Sequence, residues 1–573
     1  MFFRTSYSIW RRRSSTVSRG IAPGGHEDRH YNKPMSARVA VLGGGVGGLS
    51  AAQELAERGF EVTVYERRLD FGGKARSIPV PNSATPGRSP LPGEHGFRFF
   101  PSFYKHLPDS MKRIPSAGKS VFDNLVYSTR VQIERTGQTA FLEPTRYPVT
   151  LDDWSIVFKS LFANLGIPDD ELLFFIDRLL VLLTSCQERR LAEYENIAWW
   201  DFIAANSKSV SYQKYLGEGT TRSLVAMKAE ISSTRTVGYI DLQLMLGLMC
   251  SPGGFDRVLN GPTNQAWIDP WIAYLKSMGV ALQGNSTVRS FQLEGRRITG
   301  ITIDQGGITV PVTADFYVSA LPVEIMTGLV SDEIKSAAPS LAHLAKLETR
   351  WMNGIQFYLK DDVPLVHGHS NYLDSPWALT SISQRQFWPG VDFAGLGDGR
   401  VGGILSVDIS DWDTPGIVYS KAATNCTAEE IKTEAWAQLK AHLNTGGIET
   451  LSDSNLLSWF LDPDIQFPNP SAATNAEPLL INPAGSLQYR PEASTEMPNL
   501  FLASDYVRTY TDLATMEGAN EAARRAVNAI LDASGSNAPK AQLWPFQEPE
   551  IFKPMREYDL FRFKLGLPHG KGV

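Results

Sequence analysis

Three glycines and a carboxylate carry the clearest chemistry in this sequence. Gly43, Gly45 and Gly48 lie in the run Gly43-Gly-Gly-Val-Gly47-Gly48 and fit G-x-G-x-x-G. Such a turn holds an anionic pyrophosphate. Gly43 makes the tight turn, Gly45 lets backbone approach the phosphates, and Gly48 lets the next helix pack on the preceding strand. Gly47 belongs to the same turn. Glu66 lies about 20 residues further on, where a carboxylate accepts hydrogen bonds from an adenosine ribose. An ordinary Gly-rich turn is the alternative reading, and the flanking elements argue against it.

Those elements are a strand, a helix and a second strand. Arg38-Val-Ala-Val-Leu42 reads as a buried strand. Leu49 to Arg58 reads as a helix whose N-terminus stabilises a pyrophosphate. Glu61-Val-Thr-Val-Tyr65 is the second strand, and it ends on Glu66. A second glycine pair follows in Arg67-Arg-Leu-Asp-Phe-Gly72-Gly73-Lys74-Ala-Arg76-Ser77. For Lys74 and Arg76 the alternative is a solvated basic turn. Ser77 to Pro92 is proline-rich and reads as a surface loop. After it comes Gly93-Glu94-His95-Gly96-Phe97-Arg98-Phe-Phe-Pro-Ser-Phe-Tyr104.

Residues 105 to 250 are predominantly helical by pattern. Strand-like runs follow at Thr287 to Leu293, Arg297 to Ile303 and Asp315 to Leu321. The C-terminal third holds another strong block. Met497 to Asp505 reads as a buried strand ending in an acid. Asp512-Leu-Ala-Thr-Met516-Glu-Gly518 then leads into a helix from about Ala519 to Ile530. Small residues at 519, 522, 523 and 526 suit close packing.

Composition sets the frame. The chain has 573 residues, 43% of them apolar, with 13 Trp, 19 Tyr and 28 Phe, so two or three intertwined domains with ample core are expected. A net charge of −6 gives no sign of nucleic-acid binding. Cys186, Cys250 and Cys426 lie far apart and match no disulfide framework or metal spacing. That is compatible with a reducing cytoplasm. The first 36 residues are Arg- and Ser-rich with no acid before Glu27. A targeting peptide, a disordered tail, and an upstream start with Met35 as the true beginning all fit. No stretch is apolar enough to span a bilayer. The closest, around Trp154 to Leu183, reads as two helices broken at Gly166 to Pro168, either buried or docked on a membrane surface.

Taken together, these blocks resemble the FAD-dependent carotenoid (phytoene or ζ-carotene) desaturases of the flavin amine oxidase superfamily. The resemblance spans about 38 to 77, 93 to 104, 255 to 324 and 497 to 530. It rests on the two glycine motifs, on Glu94 to Tyr104, on Gly261-Pro-Thr to Asp269-Pro-Trp, and on Asp512 to Gly518. Desaturases of the plant type carry a Gly-x-His-x-Phe-Phe stretch at the second of these, and Arg98 stands here where their histidine would be.

The resemblance implies an α/β fold, with a Rossmann-type FAD-binding domain, an interleaved substrate domain and a helical segment. It implies a division into 1–36 (tail), 37–104, 251–330 and 481–535 (FAD-binding), 105–250 (helical, substrate- or membrane-facing), 331–480 (substrate) and 536–573 (extension). It implies non-covalent FAD, the ADP half held by Gly43, Gly45, Gly47, Gly48, Glu66, Arg67, Gly73, Lys74 and Arg76. Val288 is expected beside the adenine, Asp505 at the ribityl-phosphate region, and Met516, Gly96 and Phe97 near the isoalloxazine. His95 and Arg98 are the candidates for any catalytic side chain, with Glu94 beside them; no metal is expected. The implied substrate is an apolar isoprenoid or lipid, the electron acceptor a quinone or oxygen, and the location cytoplasmic or peripheral to a membrane. Related lipid dehydroxylases and isomerases, and amine or amino-acid oxidases, are the competing activities.

Overall fold

Val39 to Leu42 are buried on both sides, as a strand covered by helices on both faces must be. This strand, Arg38–Leu42, is central in a five-stranded parallel sheet. The strand order is Ala281–Gln283, Glu61–Tyr65, Arg38–Leu42, Phe316–Ser319 and Leu500–Leu502. Val41 pairs with Val64 on one side and Val318 on the other, and Val318 pairs with Phe501. Segments far apart in sequence thus build one sheet, and their strand ends converge on the first glycine turn. The structure is a computed structural model; it describes residues 37–147, 165–219, 221–222, 227–250, 253–254, 256–469 and 472–570.

Two helices pack together over this sheet, Val46–Ala56 and Met516–Ser534. Ala522, Ala523 and Ala526 are fully buried, so small side chains do set the approach. The second helix begins at Met516, three residues before the expected Ala519. Thr515 caps it, its hydroxyl accepting the Gly518 N–H at 3.0 Å.

A second sheet has seven strands. Their order is Leu456–Leu461, Asn353–Leu359, Gly403–Ile409, Leu379–Ser383, His369–Tyr372, Arg130–Glu134 and Phe141–Pro144. Alternation splits its faces. Ile355, Phe357, Leu405, Val407 and Ile409 join an apolar core with the helix Ala428–Leu443. The opposite face presents Gly354, Gln356, Asp408 and His369 to residues 94–99.

Two expectations need correction. The stretch 105–250 is not helical throughout, because Arg130–Glu134 and Phe141–Pro144 are strands of the second sheet. Ser77 to Pro92 is not all loop: Ser77–Pro79 pairs with Pro92–Glu94 as a short hairpin around it.

The helical region consists of Asp169–Thr184, Gln187–Ala192, Thr234–Cys250 and short helical turns around a core of Phe175, Leu179, Trp199, Tyr212 and Val237. Residues 536–570 return to it through the helix Lys553–Lys564. Among the described residues no helix is long and apolar enough to cross a membrane. Residues 1–36 and Trp154 to Phe162 lie outside the described residues.

Candidate flavin site

The two glycine runs stand back to back. Gly43 has φ +101°, and its N–H donates to the Tyr65 carbonyl at 2.8 Å. Gly72 (φ +109°) bridges to Gly45 and donates to the Gly44 carbonyl at 2.8 Å. The glycines differ in what a side chain would meet. At Gly45 a Cβ would find only Gly73 Cα, at 3.7 Å. At Gly47 it would strike the Ala503 carbonyl oxygen, and at Gly48 the Gly43 carbonyl oxygen, both at 1.9 Å. Gly47 and Gly48 are therefore glycines for packing, whereas Gly45 borders open space at the N-cap of Val46–Ala56. No acid stands in the first turn of that helix, so no side chain of that turn opposes an anion there. The cradle fits a dinucleotide pyrophosphate.

Glu66 is buried and accepts the Gly44 N–H at 2.7 Å and the Arg68 N–H at 3.0 Å. Its carbonyl accepts the Ser286 N–H at 2.7 Å, which brings the strand carrying Val288 beside it. Val288 itself is buried and pairs with Ile303.

The cations after Glu66 are held from across the molecule. Arg67 and Arg68 pair with Glu477, and Arg68 Nη2 also reaches Asp464 at 2.6 Å. Lys74 Nζ donates to the Pro478 carbonyl. Arg76 donates to the Gly73 carbonyl at 2.7 Å and lies 3.8 Å from Asp464. Burial raises the Glu477 carboxyl, but Lys74, Arg68 and Arg67 hold it below its ordinary range. His95 Nδ1 lies 2.5 Å from Asp462, and Asp464 completes a compact His–Asp–Asp group. With Arg68 and Arg76 against Asp464, that group already has its countercharge.

Residues 94–98 are fastened at every polar side chain. Glu94 accepts from Ser77 Oγ at 2.8 Å and from Thr263 Oγ1 at 2.9 Å, and burial raises its carboxyl. Arg98 donates to the Lys74 carbonyl at 2.7 Å and lies 3.5 Å from Glu94. The Gly354 N–H donates to the His95 carbonyl at 2.6 Å. A Cβ on Gly96 would lie 2.6 Å from Asp408 Oδ1. The Phe97 ring packs on His369 with centroids 5.0 Å apart. His369 Nδ1 faces Asp256 at 2.6 Å, and His369 Nε2 and Asp408 Oδ1 are both enclosed. His95 and Arg98 thus hold this segment between the two sheets, and neither is a loose acid or base.

At the other end of the site, Ala503 N–H donates to the Ser319 carbonyl at 2.8 Å, which places Asp505 just beyond the strand ends. Arg490 donates to the Asp505 carbonyl, and Ser504 Oγ to its carboxylate at 3.2 Å. Met516 opens the helix Met516–Ser534.

The sequence profile of flavin containing amine oxidoreductases matches residues 46–531, most of the chain. The chain belongs to that family. This flavin amine oxidoreductase is 23% identical over 522 residues to the zeta-carotene desaturase of Synechocystis sp., covering 86% of this chain and 97% of the relative. It is 24% identical over 556 residues to the zeta-carotene desaturase, chloroplastic/chromoplastic, of Arabidopsis thaliana, covering 91% and 89%. Among solved structures, cyclohexylamine oxidase from Brevibacterium oxydans aligns with a TM-score of 0.58 at 12% identity, over 87% of this chain and all of that one (100%). An oxidoreductase from Methanosarcina mazei aligns at 0.54 and 15%, over 85% and 98%. The α/β flavin-binding fold and a flavin-dependent oxidoreductase activity follow.

Sequence reading missed several residues that build the site of this oxidoreductase. Asp462, Asp464 and Glu477 lie in a segment with no motif; only their partners, the cations at 67 to 76, signal that countercharges are needed. Glu517 lies in the Asp512–Gly518 motif, which by itself assigns it no role. Its carboxylate accepts the N–H groups of Lys105, His106 and Leu107 at 2.7, 2.8 and 2.9 Å and faces His106 Nδ1 at 2.8 Å. It caps the helix His106–Arg113 from the helix that carries Met516.

Proposed function

We propose that this oxidoreductase binds one FAD non-covalently and desaturates a long apolar isoprenoid or carotenoid-type substrate. The open space at Gly45, facing Gly73 across a glycine-lined cradle, carries the FAD reading. Zeta-carotene desaturases matched over nearly their whole length support the substrate class.

In this reading Gly43, Gly45, Gly47, Gly48, Gly73 and Glu66 hold the ADP half, with Arg67, Lys74 and Arg76 around it. Val288 faces the adenine and Asp505 the ribityl-phosphate region. Gly96, Phe97 and Met516 border the ring. The bound flavin supplies a two-electron hydride acceptor. The chain positions the substrate, keeps water out and holds the ring rigidly through the fastened segment 94–98. Cys186 and Cys426 are buried thiols pushed up to about 11 by burial, which suits a flavin with no thioether. Residues 37–104, 251–330 and 481–535 form the FAD-binding domain, and 331–480 the substrate domain.

A substrate insoluble in water comes from a membrane or a carrier. Exposed Leu172, Leu173 and Ile176 on Asp169–Thr184, with Ile551, Met555, Tyr558, Phe561 and Leu565 on or beside Lys553–Lys564, support a peripheral membrane contact. Anaerobic mixing of the purified protein with phytoene or ζ-carotene in vesicles, against a panel of amines, tests the activity. Bleaching of the yellow flavin by the carotenoids alone is expected; bleaching by amines alone would replace this reading with an amine oxidase. Re-oxidation by a quinone or by oxygen then identifies the acceptor.

A further inference from the structure

Desaturation removes a proton as well as a hydride, and neither His95 nor Arg98 is free to take it. His95 faces Asp462, and Arg98 donates to the Lys74 carbonyl. The fold brings together another pair, 113 positions apart in sequence. His369 Nδ1 lies 2.6 Å from Asp256 Oδ2. The same oxygen accepts the Ser128 hydroxyl at 2.5 Å, and the Ser128 N–H donates to the Asp256 carbonyl at 3.0 Å. Asp256 is fully buried. A carboxylate oxygen only accepts, so Nδ1 carries the hydrogen and Nε2 of the neutral ring keeps its lone pair. His369 is 8% exposed, and its Nε2 is enclosed with no hydrogen-bond partner among the described residues. A buried polar atom left unpaired in this way points to a chemical task.

The imidazole stands on the face of the seven-stranded sheet turned to residues 94–99. His369 pairs with Ile382, Ile382 with Ser406, and Ser406 with Gln356, whose Oε1 accepts the Glu94 N–H at 3.0 Å. The Phe97 and Phe99 rings rest on the imidazole, with centroids at 5.0 and 5.1 Å. Both phenylalanines are half-buried. They therefore border open space on one side and His369 on the other. Asp408 lies on the same face against Gly96, two strands from His369. The other charged or titratable groups around the pair are Glu94 and Arg98 in the covering segment, Arg257 beside Asp256, and His367 two residues before His369.

We infer that His369, oriented by Asp256 and covered by Phe97 and Phe99, is the acceptor of the proton that the substrate gives up. The inference rests on the desaturase reading and on the placement of Phe97 beside the ring. One C–H bond breaks with its electron pair, which leaves as hydride to the bound flavin, the oxidant. The neighbouring C–H bond breaks with its electrons staying to form the C=C bond. Its proton forms an N–H bond at His369 Nε2, and Asp256 faces the other N–H of the imidazolium and stabilises the charge. Substrate reaches Nε2 by turning the Phe97 and Phe99 rings aside.

His369→Gln keeps a donor toward Asp256 and removes the proton acceptor; Asp256→Asn keeps an acceptor toward Nδ1 and removes the charge. ζ-Carotene in detergent micelles is the probe, read as the anaerobic bleaching rate per bound flavin. In His369→Gln that rate at saturating substrate should fall by about a hundredfold or more. The half-saturating concentration and reduction by dithionite should stay near wild type. Asp256→Asn should slow bleaching in the same way. A second readout needs no turnover. In the holoprotein with ¹³C-labelled histidine, the ring signal that His369→Gln removes should respond to pH, and respond differently in Asp256→Asn. Wild-type rates per bound flavin in His369→Gln, or a ring signal indifferent to pH, would overturn the assignment and leave the desaturase reading standing. Flavin lost from both variants with unchanged rates per bound flavin would make the pair purely structural and overturn it too. No bleaching of the wild-type protein by ζ-carotene would remove the desaturase reading and the proton acceptor with it.

Discussion

Gly45 and Gly48 belong to one motif and answer to different constraints. A Cβ at Gly48 strikes backbone 1.9 Å away, whereas at Gly45 it meets nothing closer than 3.7 Å. Gly45→Val should therefore give a folded, colourless protein, and Gly48→Ala a poorly folded one. Flavin absorbance together with the thermal midpoint of the flavin-free protein separates these outcomes; a fully flavinated Gly45→Val protein contradicts the cradle. Asp408 makes a second argument at this scale. Burial pushes its carboxyl up to about 7, with Arg98 acting in the opposite sense. Its native pKa is raised, so its contribution to stability is complete below the ordinary carboxylate range and is lost as pH rises. Between about pH 4 and pH 7 the unfolded chain releases this proton and the native chain keeps it, a loss of about 4 kcal/mol in all at about 1.4 kcal/mol per unit. Asp408→Asn should flatten that limb of the stability curve. Urea midpoints measured across this range, variant against wild type, check it; parallel curves would show that Asp408 titrates normally.

Elements explain which parts of this were legible in the sequence. The strand, turn, helix and strand from Arg38 to Tyr65 are local, each carrying its own periodicity and glycine signal, and they form as read except that the helix runs from Val46 to Ala56 rather than from Leu49 to Arg58. The strands Arg130–Glu134 and Phe141–Pro144 were hidden, because they are short and the hairpin they form joins the sheet only through His369–Tyr372, more than 200 residues away. The helix start at Met516 was misplaced because a threonine cap inside a motif rich in small residues gives no hydrophobic period. The acidic partners of Arg67, Arg68 and Arg76 carry no local pattern at all. Glu517 belongs in the same class, since it caps a helix about 400 positions away. Glu517→Ala removes the acceptor of three N–H groups and the partner of buried His106. It should destabilise the protein by about 3 kcal/mol or more and lower flavin occupancy, because the same helix carries Met516. Unchanged melting and flavin content in this variant would show that water replaces the cap.

The whole molecule depends on its last residues returning to the helical region. Asp559 is buried, accepts the Cys186 N–H at 2.8 Å and pairs with fully buried Arg189 at 3.0 Å. Asp559→Ala should destabilise the fold by about 3 kcal/mol, the effect of leaving a buried guanidinium short of its partner, measurable as a lower urea midpoint. At the other end, the described unit starts at Ala37, so a chain beginning at Met35 should keep its flavin and its melting temperature; loss of soluble protein would show that the preceding residues support the fold. The outer side of the returning helix poses a different question. Ile551, Met555, Tyr558, Phe561 and Leu565 recur at helical spacing and are 77%, 53%, 57%, 60% and 58% exposed. Lys553 and Lys564 stand at the ends of this stretch, also exposed. An apolar stripe between lysines suits a helix lying in the interface of an anionic bilayer. Phe561 packs on nothing essential at that exposure, so Phe561→Glu should leave flavin content and stability within experimental error. It should nevertheless reduce co-sedimentation with phosphatidylserine-containing vesicles and slow turnover of bilayer-borne substrate, with detergent-dispersed substrate unaffected. Undiminished vesicle binding by Phe561→Glu would remove this helix from the membrane contact.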